Sequence, residues 1–296
     1  MRVNGIVNVN KLAGRTSFSV VSVVRRLTGE KHVGHAGTLD PMATGVLPVC
    51  LGQATRITEY IHELPKEYVA DIELGTTTDT FDLEGSVTSR QDPASVTLKS
   101  LEDCLPKFQG TIEQSPPAYS ALKLKGRRSY ELVRDGEPVT HPPRRVNIHL
   151  IELVSFKLPY LRIKVRCSKG TYIRSLANDL GRMLGCGAYL KGLVRTAYGP
   201  FTLERSLTVD EIKEALSAGC IDPLLHPPDY PLEQWDRLPV TEDQRLEIIR
   251  GHDLSFDLTT SVVGRLRAYT PAGTFLAIMK FVPETLLWHP EKVFDL

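Results

Sequence analysis

The stretch EYVADIEL, residues 67–74, alternates apolar and polar side chains, and this pattern decides how the fold is interpreted. The apolar set on one face is Tyr68, Ala70, Ile72 and Leu74. Because successive side chains of a strand point to opposite faces, a period of two is typical of a strand with one buried face. Gly75 follows as a terminator. The sequence therefore predicts a half-buried strand over residues 67–74.

Other stretches predict further strands and helices. Residues 161–167 repeat the alternation, residues 5–10 form a short alternating stretch, and residues 46–51 are an apolar run of strand length. Helical spacing predicts a helix from Thr16 or Ser17 to Gly29, another over 98–108 and a third that opens at Thr171. Since strands and helices do not alternate as regular βαβ units, we predict an α+β fold with a mixed, mainly antiparallel sheet.

The C-terminal part of the chain predicts a second, smaller unit. Residues 222–239 contain five prolines and are the best candidate for a linker. Beyond it, residues 261–269 and 274–282 predict two strands joined by a turn at Thr270–Gly273. We predict one domain over residues 1–235 and a small β-rich domain over residues 236–296.

The composition limits the classes of function. The 296 residues carry a net charge of +1, so any nucleic-acid surface must come from local patches. The five cysteines form no CxxC pair and have no histidines at metal-ligand spacing, which argues against a zinc site. An odd cysteine count without a signal peptide predicts reduced thiols in the cytoplasm. We expect no membrane span, because no apolar run approaches the roughly 20 residues that one needs.

Asp40, Tyr68 and Arg174 stand out together as candidates for chemistry, although Tyr68, on the apolar face of its predicted strand, could equally be a core residue. Asp40 lies in the glycine- and proline-rich loop GHAGTLDPMATGVLP, residues 34–48, where an aspartate is either a turn former or a reactive group. Arg174 falls in the first turn of a predicted helix, where the helix dipole disfavours a cation. Residues 75–89 are turn-rich and acidic, and we interpret them as a loop.

Residues 114–136, QSPPAYSALKLKGRRSYELVRDG, interleave basic and aromatic side chains. This pattern suits phosphate contact combined with base stacking, and a solvated loop and helix face is the alternative. The members that we single out as RNA contacts are Tyr119, Lys123, Lys125, Arg127 and Arg128.

Several long motifs, in order, resemble those of the TruB-type tRNA pseudouridine synthases. They are GIVNVNKLAGRTS, GHAGTLDPMATGVLPVCLGQATRITEY, KEYVADIELG, SPPAYSALKLKGRRSYE and CSKGTYIRSLANDLG, and the ending HPEKVF resembles the close of the family's C-terminal PUA domain. The resemblance covers nearly the whole chain. One departure is Leu12, which stands where the first motif usually has a proline that would pre-set the backbone.

The resemblance implies a reaction and its residues. The family detaches uracil from ribose at N1 and reattaches it through C5, with no metal, nucleotide or redox cofactor. Asp40 matches the catalytic aspartate, which adds either to C6 of the base or to C1′ of the ribose. Arg174 matches the arginine that pairs with this aspartate, and we expect the pairing to lower the pKa of Asp40. Tyr68 matches the tyrosine that stacks on the target base.

The resemblance also implies how RNA binds. The substrate is the T-loop uridine of tRNA at position 55, which must be extruded from its loop. His35 matches the histidine that fills the gap, while the glycines let the backbone approach RNA, and Lys11 and Tyr172 support the site. Residues 114–136 would close over the T-arm and the PUA-like domain would contact the acceptor stem. We expect a monomer that acts without guide RNA.

Three alternatives stay open at this point. A pyrimidine C5-methyltransferase would attack C6 with a cysteine, and Cys167 lies near Lys169. A non-catalytic RNA-binding protein would need only the basic segment and the C-terminal unit. A guide-RNA-dependent synthase of the archaeal and eukaryotic type is the third, and the sizeable insert is more similar to that of the stand-alone bacterial enzymes.

Overall fold

The computed structural model describes residues 3–120, 122–124, 126–219, 221–256 and 264–296. Its strands are β1 (Gly5–Lys11), β2 (Val33–His35), β3 (Thr44–Leu51), β4 (Lys66–Leu74), β5 (Thr76–Thr78), β6 (Val87–Arg90), β7 (Gly110–Gln114), β8 (Lys123–Leu124), β9 (Arg127–Arg128), β10 (Arg144–Lys157), β11 (Tyr160–Cys167), β12 (Ala188–Tyr198), β13 (Phe201–Thr202), β14 (Arg237–Pro239), β15 (Arg265–Tyr269), β16 (Phe275–Val282) and β17 (Leu287–Val293). Its α-helices are α1 (Ser17–Thr28), α2 (Thr58–Glu63), α3 (Leu98–Cys104), α4 (Ser129–Arg134), α5 (Ile173–Met183), α6 (Val209–Ser217) and α7 (Glu242–Arg250).

A large sheet organises most of the chain, with strand order β1-β3-β12-β4-β11-β10-β7 and with β2 and β13 paired at its sides. The β3–β12 pair is parallel, and the other pairs of this sheet are antiparallel. The alternating stretch that predicted a strand is β4, which lies between β11 and β12. Its burial alternates residue by residue, as a strand with one core face requires. The prediction of an α+β fold with a mainly antiparallel sheet is confirmed.

The helix boundaries follow local sequence signals with two corrections. Helix α1 begins after Thr16, whose side chain accepts the Ser19 N–H, and ends at Gly29 in the left-handed conformation. The helix expected over 98–108 ends at Cys104 and continues as a 3₁₀ segment, Leu105–Phe108, because Pro106 lacks an N–H for an α-helical bond. Helix α5 begins at Ile173 rather than Thr171, with Tyr172 at the N-cap position.

The C-terminal strands form a separate four-stranded sheet, in the order β14-β15-β16-β17. The two predicted strands correspond to β15 and β16, and Gly273 donates its N–H to Thr270 O in the turn between them. Residues 257–263, which include the predicted start of the first strand, lie outside the described residues.

The two sheets share one hydrophobic cluster, in which Ile57, Tyr60 and Ile61 pack with Phe275 and Phe294. A polar network adds to it. Tyr60 donates a hydrogen bond to Glu291 Oε2 at 3.0 Å, and Arg265 binds both oxygens of Glu291 at 2.6 and 2.9 Å. The predicted linker contributes to the same region, since Trp235 packs edge-on against Tyr60 at 5.1 Å. The C-terminal sheet is therefore packed directly against the segment that follows β3.

Candidate active site

Asp40 and Arg174 form a two-point ion pair at the end of the large sheet. Asp40 lies in the connection between β2 and β3, and Arg174 is the second residue of α5. The Arg174 Nε lies 2.9 Å from Asp40 Oδ2, and Nη2 donates to Oδ1 at 3.2 Å. The Arg174 side chain is 7% exposed and that of Asp40 is 34% exposed. The guanidinium is therefore buried, whereas solvent reaches the carboxylate. Such side-on pairing fixes the orientation of the carboxylate as well as its position.

The remaining donors of Arg174 bind groups from two other segments. Nη1 lies 3.2 Å from Asp82 Oδ2 and donates to Thr80 O at 3.4 Å, while Nη2 also donates to Tyr119 O at 3.0 Å. The guanidinium thus joins the loop of Asp40, the loop of Asp82 and the first residues of the insert. These acceptors explain why a cation is tolerated at the start of a helix.

Asp82 is a site residue that the sequence analysis assigned only to an acidic loop. It is buried, and its Oδ1 accepts hydrogen bonds from Thr80 Oγ1 at 2.6 Å and from the Glu84 N–H at 3.0 Å. Its other oxygen faces Arg174. The cluster of three acids over residues 79–84 was the available signal, but nothing in the spacing indicated which of them turns inward.

The expected lowering of the pKa of Asp40 is not what its surroundings produce. Burial raises the pKa of this carboxyl, Asp82 adds to the rise as a second negative charge, and Arg174 and Lys11 offset part of it. The net direction is upward from the ordinary value. Asp40 therefore takes up a proton at a less acidic pH than an isolated aspartate does.

Lys11 supports the loop of Asp40 from inside the protein. Its ammonium is fully buried and donates to the carbonyl oxygens of Leu12 at 3.2 Å, Arg15 at 2.7 Å and Pro41 at 3.1 Å. Burial lowers the pKa of Lys11 to about 8, although Asp40 opposes this shift. Because all three bonds go to backbone groups around the site, Lys11 holds the loop and does not lie open to a ligand.

His35 ends β2 and is half-buried, with its Nδ1 buried and without a hydrogen-bond partner among the described residues. Burial lowers its pKa to about 4, and the charges of Arg195 and His62 act in the same direction. His35 is therefore a neutral imidazole at physiological pH.

Tyr68 lies on the core face of β4, and its cross-strand neighbour on β12 is Arg195. Burial raises the pKa of the Tyr68 phenol, while Arg195 opposes the rise. Arg195 is itself fully buried, and it donates from Nε to Val46 O at 2.7 Å and from Nη2 to Gly37 O at 3.0 Å. A buried arginine thus ties together both ends of the loop that carries Asp40. Sequence analysis missed Arg195. Its one signal is that a cation stands at a position of β12 whose side chain points into the core.

The loop glycines accommodate protein groups. At Gly37, with a φ of 73°, an added Cβ would lie 2.8 Å from Cε1 of Tyr198. At Gly45, with a φ of 100°, it would lie 2.3 Å from Arg195 O. Glycine is required at Gly37 because the Tyr198 ring occupies the place of a side chain, and at Gly45 because β3 lies close to the β12 backbone. An added Cβ at Gly34 would meet open space, and the approach of the loop backbone to RNA stays a prediction.

Tyr119 and Tyr172, both predicted to bind RNA, contribute backbone groups to the site. Tyr119 supplies the carbonyl that accepts from Arg174, and Tyr172 occupies the N-cap position of α5. The Tyr172 ring lies beneath the guanidinium of Arg144, at 5.5 Å from its centroid. Both tyrosines are half-buried.

The basic residues of the insert lie apart from this pair and face solvent. Lys123, Arg127 and Arg128 are exposed on the small β8–β9 hairpin. Arg127 is paired with Asp135 and with Glu137, the latter at 3.3 Å, whereas Arg128 bonds through its backbone N–H to Glu131 Oε2 at 3.1 Å. Lys125 lies outside the described residues.

The cysteine required by the methyltransferase alternative is poorly placed for attack. Cys167 is 1% exposed within the main core, and burial raises the pKa of its thiol to about 11. A buried, protonated thiol is a weak nucleophile.

Within the described residues, no group of three or more His, Cys, Asp and Glu side chains is arranged to hold a metal ion. Likewise, none of the described helices has the length and apolar character to span a bilayer.

Two models of known protein families match this chain. The model of the TruB family pseudouridylate synthase N-terminal domain matches residues 25–173, and that of the tRNA pseudouridylate synthase B C-terminal domain matches residues 174–233. The chain belongs to the TruB family. A relative from Dehalococcoides mccartyi named tRNA pseudouridine synthase B is 45% identical over 292 residues, covering 98% of this chain and 96% of the relative. One of the same name from Clostridium tetani is 44% identical over 239 residues, 81% of each chain.

Solved structures extend the likeness from the TruB family to related synthase folds. A structure described as a Cbf5-Nop10-Gar1 complex aligns over 98% of this chain and 85% of that chain, with a TM-score of 0.76 and 26% identity. A structure described as an H/ACA RNP bound to a substrate RNA containing 2′-deoxyuridine aligns over 99% and 85%, with a TM-score of 0.74 and 24% identity. The second likeness shows the fold alone. Together they confirm the predicted pseudouridine synthase type of fold.

Proposed function

We propose that this TruB-family enzyme isomerises the T-loop uridine at position 55 of tRNA to pseudouridine, with Asp40 as the nucleophile. The observation that carries the proposal is the two-point contact between Asp40 and Arg174, at 2.9 and 3.2 Å, between residues 134 positions apart. A carboxylate that is ionised and oriented without a neighbouring base can attack directly, because it needs no proton removed first.

The reaction breaks the bond between C1′ and N1 and forms a bond between C1′ and C5. A proton leaves C5 and N1 gains one, so the product is an isomer and no co-reactant is consumed. Asp40 forms a transient bond to C6 of the base or to C1′ of the ribose. Tyr68 lies on the core face of β4. We assign it to contact with the base during these steps.

The target uridine must leave its stacked position to reach Asp40, at a cost of a few kcal/mol. We assign His35 to the space that the uridine leaves. Its lowered pKa of about 4 supports this role, since a neutral ring can lie among bases without bringing a charge to be desolvated. The exposed basic residues of the insert, and the C-terminal sheet as a PUA-like domain, would bind the T-arm and the acceptor stem through phosphate contacts.

The same proposal covers partners and location. Relatives with 45% and 44% identity are named tRNA pseudouridine synthase B, which supports tRNA as the substrate, while action without a guide RNA stays a prediction. Monomeric state, cytoplasmic location, the domain boundary at residues 235 and 236, and the PUA identity of the second domain stay predictions.

The deciding experiment incubates the protein with an unmodified tRNA transcript, adds no cofactor and maps new pseudouridine by nucleotide. Asp40→Asn keeps the size of the side chain and removes its charge. We expect product at position 55 with the natural chain, and none with Asp40→Asn, while tRNA affinity stays within several-fold. Asp92→Asn, on an exposed turn, is the matched control and should retain full activity. Undiminished turnover by Asp40→Asn would refute the assigned role.

A further inference from the structure

The first residues of the insert contact the start of α5 at three points. Gln114 binds the backbone of Tyr172, Ser115 O accepts from Ser175 Oγ at 2.8 Å, and Tyr119 O accepts from Arg174 Nη2 at 3.0 Å. The segment that leads into the RNA-binding insert is therefore bonded to the first turn of the helix that carries Arg174.

Gln114 makes two of the hydrogen bonds between these segments. It ends β7, is 1% exposed, and uses both ends of its amide on one residue. Its Oε1 accepts the Tyr172 N–H at 2.7 Å, and its Nε2 donates to Tyr172 O at 3.0 Å. A buried amide is costly unless its groups are paired, and here the N–H and the C=O of Tyr172 pair both ends of the amide. The reverse orientation of the amide would place donor against donor and acceptor against acceptor.

Tyr172 needs such an external partner because of its position. It is the N-cap residue of α5, and its side chain makes no capping hydrogen bond. Its carbonyl accepts the Leu176 N–H at 3.1 Å, so the same oxygen begins the helix and binds Gln114. Fixing Tyr172 on both of its backbone groups fixes the origin of α5, and Arg174 is only two residues further along.

We propose that Gln114 is a positioning residue for the reaction, which holds the start of α5 so that Arg174 meets Asp40 at two points. The inference rests on the proposed function, since it assigns a means of assembling that same site. It also connects the base of the insert to the catalytic pair through backbone geometry.

The substitution Gln114→Glu separates the two halves of the contact. A glutamate has nearly the same shape and can still accept the Tyr172 N–H, but its second oxygen faces Tyr172 O and cannot donate when ionised. Gln114→Met keeps similar bulk and removes both bonds. Gln109→Glu, at an exposed position five residues earlier, makes the same charge change outside the site and is the matched control.

The readouts are the single-turnover rate at saturating tRNA transcript, the Kd for that transcript, and the melting midpoint of each variant. Rates are measured well below every midpoint. For Gln114→Glu and Gln114→Met we expect the rate to fall about 10- to 100-fold, as a displacement of about 1 Å at a reacting group produces. The Kd should change by less than about threefold, because the phosphate contacts lie on other residues. Gln109→Glu should match the natural chain.

A double variant tests whether the effect runs through Arg174. Arg174→Lys keeps a positive charge and loses the two-point contact, so the positioning of its backbone matters less. Gln114→Glu should then cost less than about threefold further in that background, because two changes that act on one interaction do not add. Full additivity of the two effects, or an unchanged rate for Gln114→Met, would overturn the inference. Absence of product with the natural chain would instead refute the proposed function.

Discussion

Arginines serve two regions of this molecule in opposite ways. Arg174 is buried at the start of α5 and distributes its donors over two carboxylates and two carbonyls from three segments. Arg127 and Arg128 are exposed on the insert, where Arg127 pairs with two surface carboxylates. Burial holds the Arg174 guanidinium in one orientation, whereas Arg127 and Arg128 present their positive charges at the protein surface.

The difference follows from solvation. A guanidinium removed from water must have its donors satisfied, so each lost partner of Arg174 leaves a buried group unpaired. Exposed ion pairs contribute little to stability because water screens them, so the arginines of the insert carry little of the fold and leave their charge at the surface. We therefore expect Arg174 to control turnover and the insert arginines to control affinity.

Within this comparison of arginines, the largest expected effect is that of Arg174→Ala. Removing the guanidinium frees Asp40 and leaves Asp82 buried beside a cavity, so we expect turnover to fall by at least about 100-fold. Loss of one partner from a buried ion pair typically costs about 3 to 5 kcal/mol, so the melting midpoint should fall as well. Single-turnover rates, tRNA affinity and thermal melts separate the two effects.

The matched control is Arg182→Ala on the same helix, where the arginine is exposed and faces Asp179 at 3.9 Å. It should leave turnover and melting nearly unchanged. Normal turnover by Arg174→Ala would remove this arginine from the site and abolish the contrast between the two regions.

A smaller effect, with a defined direction, is expected from Asp82→Asn. In the natural chain the pKa of Asp40 is raised, so turnover should decline on the acid side at a pH above the ordinary value of 3.8. Asp82 contributes to that rise as a like charge. Its removal favours the ionised form of Asp40, and the acid limb of the pH–rate profile should move to lower pH.

The measurement for Asp82→Asn is the single-turnover rate at subsaturating tRNA across the acid range, because this rate follows the ionisation of the free enzyme. The maximal rate should also fall, because Arg174 loses one of its two carboxylates. Asp79→Asn, in the same loop, serves as the comparison, since Asp79 binds the Ser86 N–H and does not contact Arg174. An acid limb that moved to higher pH, or did not move, would contradict the assigned influence of Asp82 on Asp40.

The smallest effect should come from the insert. Arg128→Glu should weaken tRNA binding several-fold and reduce the slope of log affinity against log salt by about 1, since one phosphate contact releases about one counterion. Arg127→Glu should do less, because Arg127 already lies between Asp135 and Glu137. Titrations at several salt concentrations test both, and equal slopes for the natural chain and Arg128→Glu would show that this residue does not contact phosphate.

Local sequence signals were sufficient for several elements of the fold, but not for β10 and β12, the two longest strands among the described residues. Strands β4 and β11 follow from a two-residue period, and α1 follows from Thr16 and Gly29 at its ends. The misjudged boundary near Cys104 came from weighing apolar spacing above Pro106. Order in the sheet was not predictable, because β3 and β12 pair across more than 140 residues with no local mark of their contact.

The sequence by itself determined the α+β class, the strand faces and, through family motifs, the identity of Asp40 and Arg174 as a candidate pair. Only the tertiary structure decided what surrounds them: Asp82 as the second carboxylate, Arg195 across the loop, Lys11 turned inward, and Gln114 against Tyr172. The physical reason is that periodicity and capping act between near neighbours, whereas desolvation and hydrogen-bond pairing depend on groups that meet only after the sheet has formed.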